Sequence, residues 1–85
     1  MTNEAIIKQI ETKAHADKLL NIHFKQRSTI TGLFIKTSDY DNLKSKNLWR
    51  IVTKTHIDEW RKTKDIGLCR IFNGTDFTRL SEADQ

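Results

Sequence analysis

The apolar pattern of this chain changes period near residue 20, and the change divides it into one helix followed by a run of strands. Over residues 3–18 (NEAIIKQIETKAHADK), Ile6, Ile7, Ile10 and Ala14 recur at the three- and four-residue steps that share one side of a helix. Thr2 or Asn3 can cap the free amides of its first turn, and Glu4 stands where the helix dipole favours a carboxylate. From Leu20 the period is two. Leu20, Ile22 and Phe24 alternate with Asn21, His23 and Lys25, as in a strand with one face in a core and the other in water.

The next segments continue the β pattern. Gln26-Arg27-Ser28 is a polar break, and residues 29–36 are rich in β-branched and aromatic side chains, so an antiparallel hairpin is expected. Gly32 inside its second strand predicts a bulge or sharp bend. Residues 38–47 (SDYDNLKSKN) are polar and turn-rich, and read as the functional loop. Residues 48–53 (LWRIVT) read as a strand, and residues 56–64 are ambiguous, with Ile57 and Trp60 spaced as on a helical turn. Asn73-Gly74 favours the positive φ angles of a tight reversal between residues 68–72 and 77–80. At 85 residues the chain is a single domain with a simple core or one completed by a partner chain. The expected fold is mainly β with an N-terminal α-helix, a small bent SH3-like barrel over about residues 20–81 and a short polar tail at 82–85.

Lysine and arginine number 15 against 11 aspartates and glutamates, and the excess is local. Between Lys44 and Lys64 lie seven basic residues (Lys44, Lys46, Arg50, Lys54, Arg61, Lys62, Lys64) against Asp58 and Glu59, a footprint suited to phosphates or to a solvated face. The single Cys69 excludes an intramolecular disulfide and fits a reducing cytoplasm. No apolar run approaches the length of a membrane span. His15, His23 and His56 are too scattered for metal-ligand spacing, and no cofactor motif is present. Asp39, Asp41 and Asp76 are the one acidic set that metal-dependent phosphodiester cleavage could draw on, but aspartates flanking a tyrosine also make good turns, and no enzymatic role is expected. Trp49 and Trp60 lie among apolar neighbours and belong to the core, with Arg50 and Arg61 pointing away from it.

One known two-part motif begins with a second-strand glycine followed by an apolar residue two later, an aromatic eight later and an asparagine ten later. Gly32, Phe34, Tyr40 and Asn42 stand at those spacings, and Phe72-Asn73-Gly74 fits two of three positions of its second part. Over most of its length the chain thus resembles the Sm-like family, which includes the bacterial Hfq type. It departs from the pattern at Ser38 (usually aspartate), Arg27 (usually glycine) and Asn73 (usually the arginine of the uridine pocket), and lacks the carboxy-terminal basic-histidine motif of Hfq. The resemblance implies a non-enzymatic RNA-binding module, assembled as a homo-oligomeric ring through its edge strands, with single-stranded RNA as ligand. Tyr40 would stack on a base and Asn42 would bond its edge, Asn73 and Gly74 would supply the opposite loop, and Lys44 and Lys46 would meet phosphates. A loop tyrosine can instead cap the core with its ring. The alternative function is an SH3-like protein-interaction or structural module whose basic segment meets an acidic partner.

Overall fold

The computed structural model describes residues 1–12 and 18–83. Helix α1 (Asn3–Ile10) starts at Thr2, whose Oγ1 accepts a hydrogen bond from the Ala5 amide at 3.2 Å. It stops well short of residue 18: Glu11 leaves helical geometry, and the Thr12 hydroxyl takes the Gln9 carbonyl at 3.0 Å. Ala14 and His15, which the helical pattern included, lie outside the described residues.

Five strands follow: β1 (Leu20–Phe24), β2 (Ile30–Phe34), β3 (Leu48–Thr53), β4 (Arg70–Asn73) and β5 (Phe77–Glu82). They form one antiparallel sheet in the order β4-β3-β2-β1-β5, and the expected β1–β2 hairpin and 48–53 strand are both there. The polar tail begins later than expected, because Ser81 and Glu82 pair with Asn21 and Leu20.

The sheet must curl. Its edges β4 and β5 would lie about 19 Å apart if four strand spacings were laid flat. Yet only the 3-10 turn Gly74–Asp76 joins them, and four residue steps reach at most roughly 14 Å. Curling brings the Phe24 ring of β1 to 5.9 Å from the Phe72 ring of β4, although β2 and β3 lie between these strands in the sheet. The expected barrel is not closed, because β4 and β5 are not hydrogen-bonded to one another.

Inside the curl, Ile6 and Ile10 of α1 pack on Leu20, Ile22, Trp49, Ile51, Phe72, Phe77 and Leu80, so α1 fills the concave face of the sheet. The convex face of β2 and β3 is covered too. Helix α3 (Ile57–Thr63) buries Ile57 and Trp60 against Ile35 and Val52, with Leu33, Leu68 and Cys69 around them. The ambiguous segment is therefore helical, and both tryptophans are core residues.

Three local expectations fail for identifiable reasons. Residues 38–47 are not an irregular loop: they hold helix α2 (Tyr40–Ser45), which has no buried residue and so lacks the apolar stripe that marks helices in a sequence. Gly32 marks no bulge, since its ladder runs regularly from Leu20 through Gly32 to Thr53, and the register shift lies between His23 and Phe24 against β5. Glycine is needed there because a Cβ would meet Ile51 Cγ2 at 2.7 Å and the Val52 carbonyl at 2.8 Å. Nor is Asn73-Gly74 a hairpin with positive φ. Asn73 has φ −88°, its Oδ1 accepts from the Thr75 amide at 3.0 Å, and the strands it joins sit at opposite edges.

Candidate nucleic-acid interface

Tyr40 opens α2 with its ring half-buried, tilted against Trp49 at 6.2 Å between centroids. Its hydroxyl donates to Glu11 at 2.7 Å, and the ammonium groups of Lys36 and Lys44 lie 5.5 and 5.0 Å from the ring centre. The same carboxylate receives Lys44 Nζ at 3.5 Å, so Glu11 clasps the end of α1 to α2. The Tyr40 bond, more than the lysine charges, holds the Glu11 carboxyl below its ordinary range. Burial, then the Glu11 bond, pushes the Tyr40 phenol well above its own.

These shifts set a pH dependence. A depressed carboxyl stabilises the fold above its unfolded value of 4.5 and ceases to do so as pH falls through the folded value. A raised phenol stabilises below its unfolded value of 10.0 and loses that contribution as pH rises toward the folded value. Urea midpoints across pH should therefore fall at both ends. Tyr40→Phe should flatten the alkaline limb and, by removing the bond to Glu11, shrink the acid limb as well.

The six residues marked in the sequence separate into two groups. Tyr40, Asn42 and Lys44 lie on α2; Asn42 is exposed, and Lys44 is paired with Asp41 at 3.2 Å, the main reason its ammonium pKa is raised. Lys46, Asn73 and Gly74 gather beyond the other end of α2. There Asn47, at φ 59°, accepts the Gly74 amide on its carbonyl at 2.8 Å. Its side chain donates to the Met1 carbonyl at 2.9 Å and accepts Trp49 Nε1–H at 2.8 Å. The sequence marked Asn47 only as the end of the 38–47 polar segment, yet it ties α1, α2, β3 and the β4–β5 turn together. Asn73 is exposed, but its Oδ1 is occupied by the Thr75 amide and hydroxyl. Gly74 is buried.

The basic segment also divides. Arg50 is half-buried and bound to Asp39 at 2.7 Å, and the carboxyl of Asp39 is depressed first by Thr37 Oγ1 and then by Arg50. Lys54, Arg61, Lys62 and Lys64 are exposed on and beside α3, on the convex side, and Lys64 lies 5.4 Å from the Trp60 ring centre. Lys46 lies in a shallow cleft of 610 Å³ with Asn3, Lys25, Asn47 and Thr75.

Lys25 joins this cleft to a second one, of 320 Å³, lined by Phe24, Gln26, Arg27 and Asp76. Here the guanidinium of Arg27 lies 5.0 Å from the Phe24 ring centre and 5.7 Å from that of Phe72, and Arg70 lies 5.7 Å from Phe72. Among the described residues, no carboxylate lies within ion-pair distance of Lys25, Arg27, Lys46 or Arg70. Four unneutralised cations thus follow one rim, from β4 across the β1–β2 reversal and the Gly74–Asp76 turn to the end of α2.

Comparison with protein-family models, with curated proteins and with solved structures finds no match for this chain.

The three aspartates take separate roles: Asp39 binds Thr37 and Arg50, Asp41 binds Lys44, and the Asp76 carbonyl accepts the Lys25 amide at 3.0 Å. Among the described residues no three His, Cys, Asp or Glu side chains are grouped to hold a metal ion, and no helix is long and apolar enough to cross a membrane. Burial pushes the half-buried Cys69 thiol up, away from thiolate chemistry.

Proposed function

We propose that this protein is a non-enzymatic module that binds single-stranded RNA, built on an Sm-like or closely related SH3-like open barrel. The observation that carries the reading is the rim of four cations without ion-pair partners among the described residues, Lys25, Arg27, Lys46 and Arg70, of which Arg27 and Arg70 lie over the rings of Phe24 and Phe72. Unneutralised lysines and arginines beside aromatic faces are what a flexible polyanion with stackable bases requires. The strand order, the helix preceding β1 and the short 3-10 link between β4 and β5 support the barrel. Tyr40, Asn42 and Lys44 form the neighbouring part of the interface, with the exposed Asn42 as its polar contact.

The two sheet edges support assembly of copies into a ring, β4 of one pairing with β5 of the next and the half-exposed Ile71 covered at the joint. A solution mass of several chains, stable on dilution, is the corresponding observable. The single half-buried cysteine fits a reducing cytoplasm.

The second reading is a protein-interaction module, favoured by the exposed Ile66 and Ile71 beside the basic surface. Anisotropy of a labelled single-stranded RNA separates the two. The RNA reading predicts binding at low salt that falls about tenfold or more when Lys25 and Lys46 are both changed to Glu. Undiminished binding by that variant, or none by the native chain, would reject it.

A further inference from the structure

Arg27 differs from the other surface cations in lying over two aromatic rings. Its guanidinium is supported by two rings, and those rings are themselves fixed: Phe24 meets Phe77 edge-on at 5.3 Å and Phe72 is buried. The residue as a whole is exposed and lines the 320 Å³ cleft, whose size falls in the range of small-ligand sites. A guanidinium is planar and weakly hydrated, so an arginine stacked on an aromatic face can itself present a flat surface to a further planar group. Lys25 lines the same cleft and Arg70 lies over the same Phe72 ring, neither with an ion-pair partner among the described residues, and a phosphate would relieve the repulsion among the three cations.

We propose that Arg27, lying over Phe24 and Phe72, is the platform for one nucleobase of the bound strand, with the flanking phosphates on Lys25 and Arg70. This rests on the RNA-binding reading and assigns it a base site that the motif spacing did not indicate. An acidic peptide fits the cleft less well: Asp76 lines it and repels phosphates and peptide carboxylates alike, but its carboxylate accepts the N–H groups of a base edge, which acidic side chains lack.

The test compares the native chain with Arg27→Lys, which keeps the charge and removes the plane. With a labelled single-stranded RNA of about eight nucleotides, Arg27→Lys should bind about tenfold more weakly while the salt dependence stays unchanged. Titration of the native chain with adenosine monophosphate should shift the NMR signals of Arg27 and Phe24 before those of Tyr40. An oligo-glutamate peptide of matching charge should bind far more weakly than the RNA. If native and Arg27→Lys chains bind RNA equally, or the peptide binds as well as RNA, the platform is refuted, and in the first case RNA binding itself still stands. If the native chain binds no RNA at all, both fall.

Discussion

A Gly74→Ala chain should lose at least about 3 kcal/mol of folding stability, a fall in melting temperature of roughly 15 °C for a domain of this size. The cause is steric and not conformational, since no glycine in the described chain has positive φ. A Cβ at this position would meet Ile6 Cδ1 at 2.6 Å, Trp49 Nε1 at 2.7 Å and the Asn47 amide oxygen closer still. None of the three can yield cheaply. Ile6 and Trp49 are fully buried, and Asn47 is held at both ends of its amide, by Met1 and by the indole. Gly67→Ala is the control: Gly67 is exposed and its Cβ would meet only the Asp65 side chain, so the melting temperature should move little. Thermal unfolding followed by circular dichroism reads both. A Gly74→Ala shift as small as that of Gly67→Ala would mean that α1, the Asn47 corner and the β4–β5 turn are not packed as one unit.

The second large effect is expected at Trp49. This side chain is 1% exposed, lies 6.0 Å from the Phe34 ring and 6.2 Å from Tyr40, and gives its indole N–H to Asn47. Trp49→Ala opens the centre of the concave core and leaves the Asn47 oxygen without its indole partner, for a loss of about 4 kcal/mol. Total stability for a small domain is about 0.05–0.15 kcal/mol per residue, so the loss is between about a third and nearly all of it, and the melting temperature should fall by roughly 20 °C. Trp60→Ala should be milder. Its ring belongs to the smaller convex cluster under α3, where the concave core remains intact. A much larger fall in melting temperature for Trp49→Ala than for Trp60→Ala is the expected pair of melting curves. The reverse order would move the principal core to the convex face.

Much of the fold was legible because it is written in periodicity. The switch from helical spacing at Ile6 and Ile10 to alternation at Leu20 and Ile22 located α1 and β1, whereas the Ile57–Trp60 step was too short to decide that α3 is helical. Helix α2 was hidden because its apolar contacts are only the half-buried Tyr40 and Leu43, set among charged residues that read equally well as a loop. The Asn73-Gly74 pair misled for another reason. Its glycine answers to the atoms crowded around it and not to a positive φ, and crowding between distant segments leaves no trace in a dipeptide. The site was legible in part: Lys46, Asn73 and Gly74 do converge, around an Asn47 that sequence reasoning passed over. Lys25, Arg27 and Arg70 were missed because their significance depends on the curl that brings β1 and β4 face to face.

The salt dependence of RNA binding tests the central claim most directly. If Lys25, Lys46 and Arg70 meet phosphates while Arg27 carries a base, log Kd should rise linearly with log salt with a slope of about 2.1, at roughly 0.7 per contact on a single strand. Affinity should then drop roughly 20-fold between about 50 and 200 mM salt. Anisotropy of a labelled single strand across that range, on the native chain, reads the slope. A slope of about 2.1 that falls by roughly 1.4 in the Lys25→Glu, Lys46→Glu variant is the predicted result; a flat dependence, or no binding at the lowest salt, would contradict it.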